Sequence, residues 1–454
     1  MTRGRPASVR PSAGRTGGYS VRIRTIVPFL AVAVLAVGAC SEPAQQGGGS
    51  GPTTTTAVDL ACVETKSVVE CAPEGSMLSP YLPEAPVRAT KSPLRLGTIN
   101  QDTGAAGAFP LLTVADKMTI DFINAELGGV DGHPIELITC NTNFNPDLSQ
   151  SCAQEMVSKK VPAVIGGIDI WGTGITTLEN NGIPYVGGIP VSFEAARSPV
   201  SFQFSGGTWG AVLGLGQYAM DELGAKKIAV IYADFGPISD SARLGQKALT
   251  ARGAEVTMIS TSPVNADMVT ALNEAAQAEP DAIIALTADS GCKPTMLTAK
   301  QIGLEAPILY TGACVAPNIV ESVGEAAEGS VFNLEAELSP TNPDNEMYNL
   351  IAAKYGPKYD YPVRSEGTVA VRSVINLYVV LRDLGFDAIT PAAILEKFRA
   401  AEEAPSFFGH PYTCDGTALP GYPALCSPQQ TLGRLEGGEV VKVSDWIDVG
   451  ALVK

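Results

Sequence analysis

Residues 227–260 read KIAVIYADFGPISDSARLGQKALTARGAEVTMIS. The short apolar run 227–232 ends at Asp234-Phe235-Gly236, a helical stretch covers 239–252, and a second apolar run follows at 255–260. A buried strand, a crossover helix and a second buried strand make one unit of a parallel sheet covered by helices. The rhythm continues downstream with a helix at 267–278, a strand at 281–287, a helix at 293–302 and a strand at 307–310, and a helix at 208–223 precedes it. A first series of the same kind runs upstream. It has strands at 94–100, 135–140, 163–166 and 183–186, with helices at 109–127 and 147–159, and it ends near 202–204. In the 109–127 helix, Leu111, Ala115, Met118 and Phe122 form a stripe at helical spacing. Two successive series predict an α/β fold of two doubly wound parallel-sheet lobes. Helices at 344–355, 367–384 and 391–400 follow, then a Gly/Pro-rich tail with short strands such as 439–443.

The length of 454 residues suits two or three cores at roughly 100–200 residues each. Residues 1–24 are basic, and 25–39 (TIVPFLAVAVLAVGA) are uncharged and end in small residues, as an export signal does. The run is shorter than the roughly 20 apolar residues a spanning helix needs. Val37-Gly38-Ala39-Cys40 resembles a bacterial lipobox, so Cys40 is the expected lipidation site and lipid-bearing new N-terminus. Two acyl chains, at about 0.8 kcal/mol per buried CH₂, hold a protein stably on a membrane. The next stretch, SEPAQQGGGSGPTTTT at 41–56, is a flexible tether reaching roughly 20–25 Å. The expected division is therefore a leader at 1–39, a tether at 40–60 and a disulfide-tied extension at 61–93. Lobe one is expected at 94–206 with about 336–388, and lobe two at 207–335 with about 389–454.

Net charge is −16, and six of the 31 basic residues precede residue 40, leaving 25 against 47 acids, or −22, for the remainder. So acidic a body repels phosphate backbones, which argues against nucleic acid as a partner. Histidine occurs only at His133 and His410, which disfavours histidine-based metal sites and catalytic triads. Beyond Cys40, eight cysteines fall into the sequence-local pairs Cys62/Cys71, Cys140/Cys152, Cys292/Cys314 and Cys414/Cys426. Eight cysteines allow 105 connectivities, so this pairing is an expectation that suits an oxidising compartment.

In open parallel sheets, ligands lie beyond the C-terminal strand ends, where helix N-termini present free N–H groups. The loops there are NQDTG (100–104), GGIDIWGTG (166–174), GGIP (187–190), DFG (234–236), TADSG (287–291) and TGAC (311–314). Four contain an aspartate: Asp102, Asp169, Asp234 and Asp289. Each alone is explained by helix capping. Together, with Trp171 and Phe235, they suit acceptors for a cationic or N–H-bearing head beside aromatic faces for an apolar body. The turn at Gly172 and Thr173 offers backbone N–H groups suited to a carboxylate or carbonyl. The expected ligand is a small amphiphile such as an amino acid or amide, and Gln101 completes the candidate set from the first loop.

The ordered series AELGGVDGHPIELITC (125–140), VPAVIGG (161–167), NNGIPYVGG (180–188), ELGAKKIAVIYAD (222–234) and PDAIIALTADSG (280–291) resembles the type 1 periplasmic binding proteins. Within them it is most similar to the branched-chain amino-acid and amide group of ABC-transporter solute-binding lipoproteins, from about residue 94 to about 384. The resemblance implies lobes joined by three hinge crossings and closing over a solute. It also implies delivery to a membrane permease with a separate ATPase, by a monomer without cofactor or metal. By position it implies contacts at Asp169, Trp171, Thr173, Gly188, Ile189, Phe235, Asp289 and Thr311. The Ser/Thr-rich loops that grip an amino-acid carboxylate in that group are replaced here by GGIDIWGTG and GGIPVS, so a leucine-type ligand is not carried over.

Two other readings compete. A ligand-sensing lipoprotein with a signalling partner would use the same closing cleft. A dinucleotide-dependent enzyme is suggested by Gly214-Leu215-Gly216-Gln217-Tyr218-Ala219 with Asp234 downstream. In that fingerprint the first glycine sits at the strand-to-helix turn, whereas here the strand ends near Phe204, which places these glycines inside a helix. The motifs G-x-x-x-x-G-K-[ST], G-x-S-x-G and H-E-x-x-H are absent. Asn141 to Asn145 is no calcium loop, because Pro146 stands where glycine is needed and Cys152 holds the twelfth position.

Overall fold

The computed structural model describes residues 60–363 and 365–454; the expected leader, Cys40 and nearly all of the tether lie outside the described residues. Strands β1 (Leu94–Asn100), β2 (Ile135–Asn141), β3 (Val164–Gly166), β4 (Tyr185–Val186) and β5 (Ser201–Phe202) form an all-parallel sheet in the order β2-β1-β3-β4-β5. Six of the seven β1 positions are buried, because helices cover both faces of the sheet.

One face carries helices Pro110–Glu126 and Gly367–Leu384, the other Pro146–Lys159 and Thr173–Asn180. In the Pro110–Glu126 helix the buried arc runs through Leu112, Ala115, Met118, Phe122 and Ile123, with Leu111 only partly covered. The arc is broader than a single stripe because the Gly367–Leu384 helix packs on it as well as the sheet. Each fully buried Leu, Met or Phe there contributes about 1.5–3 kcal/mol.

The second sheet contains β6 (Lys227–Ala233), β7 (Glu255–Thr261), β8 (Ala282–Leu286), β9 (Ile308–Tyr310), β10 (Val331–Leu334), β11 (Thr431–Glu436) and β12 (Glu439–Lys442). Their order is β12-β11-β10-β9-β8-β6-β7, parallel up to β10 and antiparallel where β11 and β12 are added. Helices Gly207–Asp221 and Gly236–Ala251 line one face, and Met268–Gln277, Asp289–Gln301 and Pro317–Val323 the other. Within the first of these, a Cβ on Gly214 would lie 2.8 Å from Gln430 and one on Gly216 2.6 Å from Leu249. These glycines permit close helix packing and do not form a phosphate-binding turn.

The chain crosses between the two cores three times. Phe204 belongs to the first core and Trp209 to the second; Phe332 lies in the second lobe and Ala336 in the first core. The third crossing differs from the expectation that 389–454 builds lobe two. Ile394, Leu395 and Phe398 of helix Pro391–Arg399 pack in the first core, where Phe398 stacks on Phe202 at 5.0 Å, and Phe407, Phe408 and Tyr412 join them. The second core begins to receive the chain at Leu419, Tyr422 and Leu425.

All four sequence-local disulfides are formed: Cys62–Cys71, Cys140–Cys152, Cys292–Cys314 and Cys414–Cys426. The first ties two short helices whose Val63 and Val68 enter the first core. Lys354 Nζ donates to the carbonyls of Val63 (3.1 Å) and Lys66 (2.5 Å), while Asp344 accepts from Ser76 Oγ (2.8 Å) and the Met77 N–H (2.7 Å). The extension is thus fastened to lobe one by apolar burial and by satisfied polar contacts. Among the described residues, no helix is long and apolar enough to cross a membrane.

Candidate ligand-binding site

Both sheets share one topology at their centres. The order in which successive strands are added reverses between β1 and β3 in the first and between β6 and β8 in the second, the strands staying parallel, and at such switch points the loops diverge and leave a crevice. The two crevices face each other across one cavity of about 820 Å³. Lobe one supplies Ala106, Phe109, Phe144, Ile168, Ile170 and Ile189; lobe two supplies Phe235, Ile238, Leu286, Thr287 and Thr311. The crossings contribute Ser205, Gly207, Asn333 and Glu335. A space of this size with mostly apolar walls is typical of small-molecule sites.

Of the twelve expected ligand-binding residues, Ile189, Phe235 and Thr311 line the cavity. The others surround it and shape its loops. Gln101 is fully buried and donates through Nε2 to the Gly107 carbonyl at 2.8 Å, folding the loop after β1. Asp102 accepts from Asn100 Nδ2 (2.8 Å) and Thr113 Oγ1 (2.6 Å), and Asp234 from Ser239 Oγ (3.0 Å), so both hold nearby backbone segments in place. Thr173 Oγ1 donates to the Pro146 carbonyl at 2.6 Å, and Gly188 N–H donates to Ser373 Oγ at 3.1 Å. Thr311 Oγ1 donates to the Thr287 carbonyl at 2.7 Å.

Trp171 bridges the lobes. Its ring lies 5.5 Å from Phe144, meets Phe235 edge-on at 5.2 Å, and its Nε1 donates to the Phe144 carbonyl at 3.1 Å. Phe144 and Phe235 are themselves wall residues, so this tryptophan backs the wall from behind. Asp289 makes a second bridge. Its helix starts at Asp289, four residues before the expected 293, so the carboxylate reaches the loop of lobe one, where a Cβ on Gly107 would sit 3.0 Å from Oδ1. Burial raises its pKa.

Asp169 is buried behind the turn at Gly172, whose φ of +68° suits glycine. It accepts from Ser149 Oγ at 2.6 Å, and that oxygen accepts from Gly174 N–H at 2.7 Å, so the relay fixes helix Thr173–Asn180 to helix Pro146–Lys159. Burial pushes the Asp169 pKa up to about 6; the Ser149 hydroxyl opposes this and Glu194 adds to it. A carboxyl whose folded pKa lies above its unfolded value stabilises most below the unfolded pKa, near 3.9, and loses that contribution as pH rises through the folded one. Stability should therefore decline between pH 4 and 7 in part through Asp169. Urea midpoints for Asp169→Asn should show a flatter decline than wild type, and equal slopes would remove this residue from the account.

The hinge contains a buried polar knot that no sequence pattern announced. Glu335, next to the last residue of β10, accepts through Oε1 from Gly206 N–H (2.8 Å) on the first crossing and from Gln430 Nε2 (2.7 Å) on the third. Its Oε2 lies 3.8 Å from Arg372 Nη2, with the two side chains 8% and 2% exposed, and Arg372 Nη1 also donates to the Glu335 carbonyl. Asn333 Nδ2 donates to Gln430 Oε1 at 3.0 Å, and Asn333 Oδ1 accepts from Gly312 N–H at 2.7 Å. One carboxylate thereby ties all three crossings together at the cavity edge. Its signal was a lone acid after an apolar strand, indistinguishable in sequence from a surface residue.

Two similar α/β lobes, three crossings and a cavity walled by both define a bilobed small-molecule binding protein. The chain belongs to the periplasmic binding protein family, whose model matches residues 93–419. That family is a class of solute-binding proteins working outside the cytoplasm, not of enzymes. No curated protein matches the chain in sequence. Among solved structures it is similar to a leucine-binding protein from Thermotoga maritima, at 18% identity over 77% of this chain and 98% of that one, with a TM-score of 0.64. A fatty acid ABC transporter substrate-binding protein from Thermomonospora curvata gives 18%, 82%, 96% and 0.68. A solute-binding protein from Rhodopseudomonas palustris, in complex with 3,4-dihydroxybenzoic acid, gives 20%, 79%, 98% and 0.64. These likenesses establish the type 1 fold and leave the ligand to the cavity's own chemistry.

Proposed function

We propose that this protein is a monomeric, lipid-anchored, extracytoplasmic solute-binding protein. It captures a small polar or amphiphilic solute, an amino acid, amide or related molecule, and delivers it to an ABC permease driven by a separate ATPase. The observation that carries the reading is the single cavity whose wall is shared by both lobes and their crossings. A solute touching one lobe alone has no preference for the closed state, whereas one touching both shifts the population toward it. The export signal, lipobox and tether support placement at a membrane surface. The similar structures, named for leucine, a fatty acid and an aromatic acid, support a small organic solute.

A thermal-shift screen of amino acids, amides, amines, polyamines, aromatic acids and small sugars tests it. A true ligand at 100 times its Kd adds about 2.7 kcal/mol of stability and raises Tm visibly. Phe235→Ala, which opens the wall, should abolish most of that shift. A flat response to the whole screen would defeat the reading. Cys40→Ser should release the protein from the membrane fraction, and retention there would defeat the lipid anchor.

A further inference from the structure

The cavity has more room than an amino acid fills, and the lobes on either side of it are already in contact. Trp171 of lobe one meets Phe235 of lobe two at 5.2 Å, and a Cβ on Gly107 of lobe one would sit 3.0 Å from Asp289 Oδ1 of lobe two. The volume of about 820 Å³ is therefore what remains between touching lobes, not the gape of a cleft still to close. At about 30 Å³ for each water-sized group it takes about 27 of them, whereas leucine has about nine non-hydrogen atoms. The apolar wall also draws on two separate parts of the chain. Ile168, Ile189 and Phe235 stand in the loops that leave the strands, where the sequence pattern locates a ligand. Leu338, Tyr348 and Val369 belong to none of those loops; they follow the second crossing, ahead of and within helix Pro343–Tyr355 and at the start of helix Gly367–Leu384.

Resting on the solute-binding reading and narrowing it to its amphiphilic end, we propose that the cavity takes one molecule well beyond amino-acid size, whose apolar body reaches from the strand exits to the wall of Leu338, Tyr348 and Val369. Each apolar group of a ligand gains by leaving water and by touching the wall, and a space without partner atoms forfeits that gain. An amino acid covers one stretch of this wall and leaves the other facing water that its side chains cannot hydrogen-bond. A longer body covers both stretches at once, and because Ile168 and Phe235 come from opposite lobes it also favours their contact. The side chains of Ser290 and Asn349, one from each part of the wall, have no hydrogen-bond partner among the described residues and stand ready for the polar group of such an amphiphile.

The test adds a ladder of uncharged probes, hexan-1-ol, nonan-1-ol and dodecan-1-ol, to the thermal-shift screen and measures their affinities by calorimetry. The full-length protein is kept soluble by amphipol, a polymer too large to enter the cavity, and protein-free amphipol is the blank. Dodecan-1-ol should bind one per chain and at least about 100-fold tighter than hexan-1-ol, because each added CH₂ still finds apolar wall. Leu338→Trp, which fills the second stretch of wall, should weaken dodecan-1-ol at least about tenfold and change hexan-1-ol by less than about threefold. An affinity that stops rising after hexan-1-ol overturns the inference, and this wild-type comparison holds even if the variant fails to fold. A ladder that does not bind while a single amino acid in the wider screen does also overturns it, and the solute-binding reading then survives. Equal weakening of both alcohols by Leu338→Trp removes the second stretch of wall from the site and the inference with it. If neither the ladder nor any other member of the screen binds, both readings fall together.

Discussion

Replacing Glu335 by alanine should destabilise the protein by about 3–5 kcal/mol, the usual cost of leaving a buried cation without its partner. Arg372 is 2% exposed, so it cannot turn to solvent, and Glu335 supplies both its nearby carboxylate and its carbonyl acceptor. Burial alone lowers the Arg372 pKa while Glu335 raises it, which is the same balance seen from the cation. The substitution also strips acceptors from Gly206 N–H and Gln430 Nε2, loosening two crossings at once. Urea unfolding measures the loss. Adding Arg372→Met to Glu335→Ala should recover much of it, because an apolar side chain of similar length removes the stranded charge. A single variant within about 1 kcal/mol of wild type would mean that water or rearrangement satisfies Arg372 and that the knot does not hold the hinge.

Gly187→Ala should cost about 3 kcal/mol or more, combining left-handed strain of roughly 1–2 kcal/mol with overpacking of about 1–3 kcal/mol. Gly187 has φ of +74°, and an added Cβ would fall 2.0 Å from Ser373 Oγ and 2.3 Å from its Cβ. Ser373 cannot move aside freely, since its hydroxyl donates to the Val369 carbonyl at 2.7 Å and accepts from Gly188 N–H at 3.1 Å. Ile189, two residues on, lines the cavity, so ligand-induced stabilisation should weaken along with the fold. Gly182→Ala is the control. It has a similar φ of +63° with nothing within 4 Å, so it carries strain alone and should cost about 1 kcal/mol. Equal effects at the two positions would show that the clash with Ser373 is relieved at no expense.

Parallel strands buried on both faces are readable because they must be nearly continuous apolar runs. For that reason β1, β6, β7 and β8 lie close to where their residues place them. Strands β10 and β11 escaped: VFNL is too short to separate from a helix end, and β11 contains Gly433 and Arg434 and joins the sheet at its antiparallel side. The loops around the cavity were legible as Gly-rich strand exits, but the work of their aspartates was not. Asp102 and Asp234 are satisfied by neighbours within eleven and five residues, as capping side chains are, while Asp289 gains its meaning from a loop of the other lobe.

Local chemistry, acting over a few residues, was enough for the sequence alone to determine the βα rhythm and the two-lobe α/β class, and it anticipated the nearest-neighbour disulfides. Only the tertiary structure decided that the tail from 389 returns first to lobe one, and that Glu335 meets Gly206, Arg372 and Gln430. Those features depend on groups far apart in the chain, whose pairing is set by which faces remain to be covered and which polar atoms remain to be satisfied once the lobes have packed.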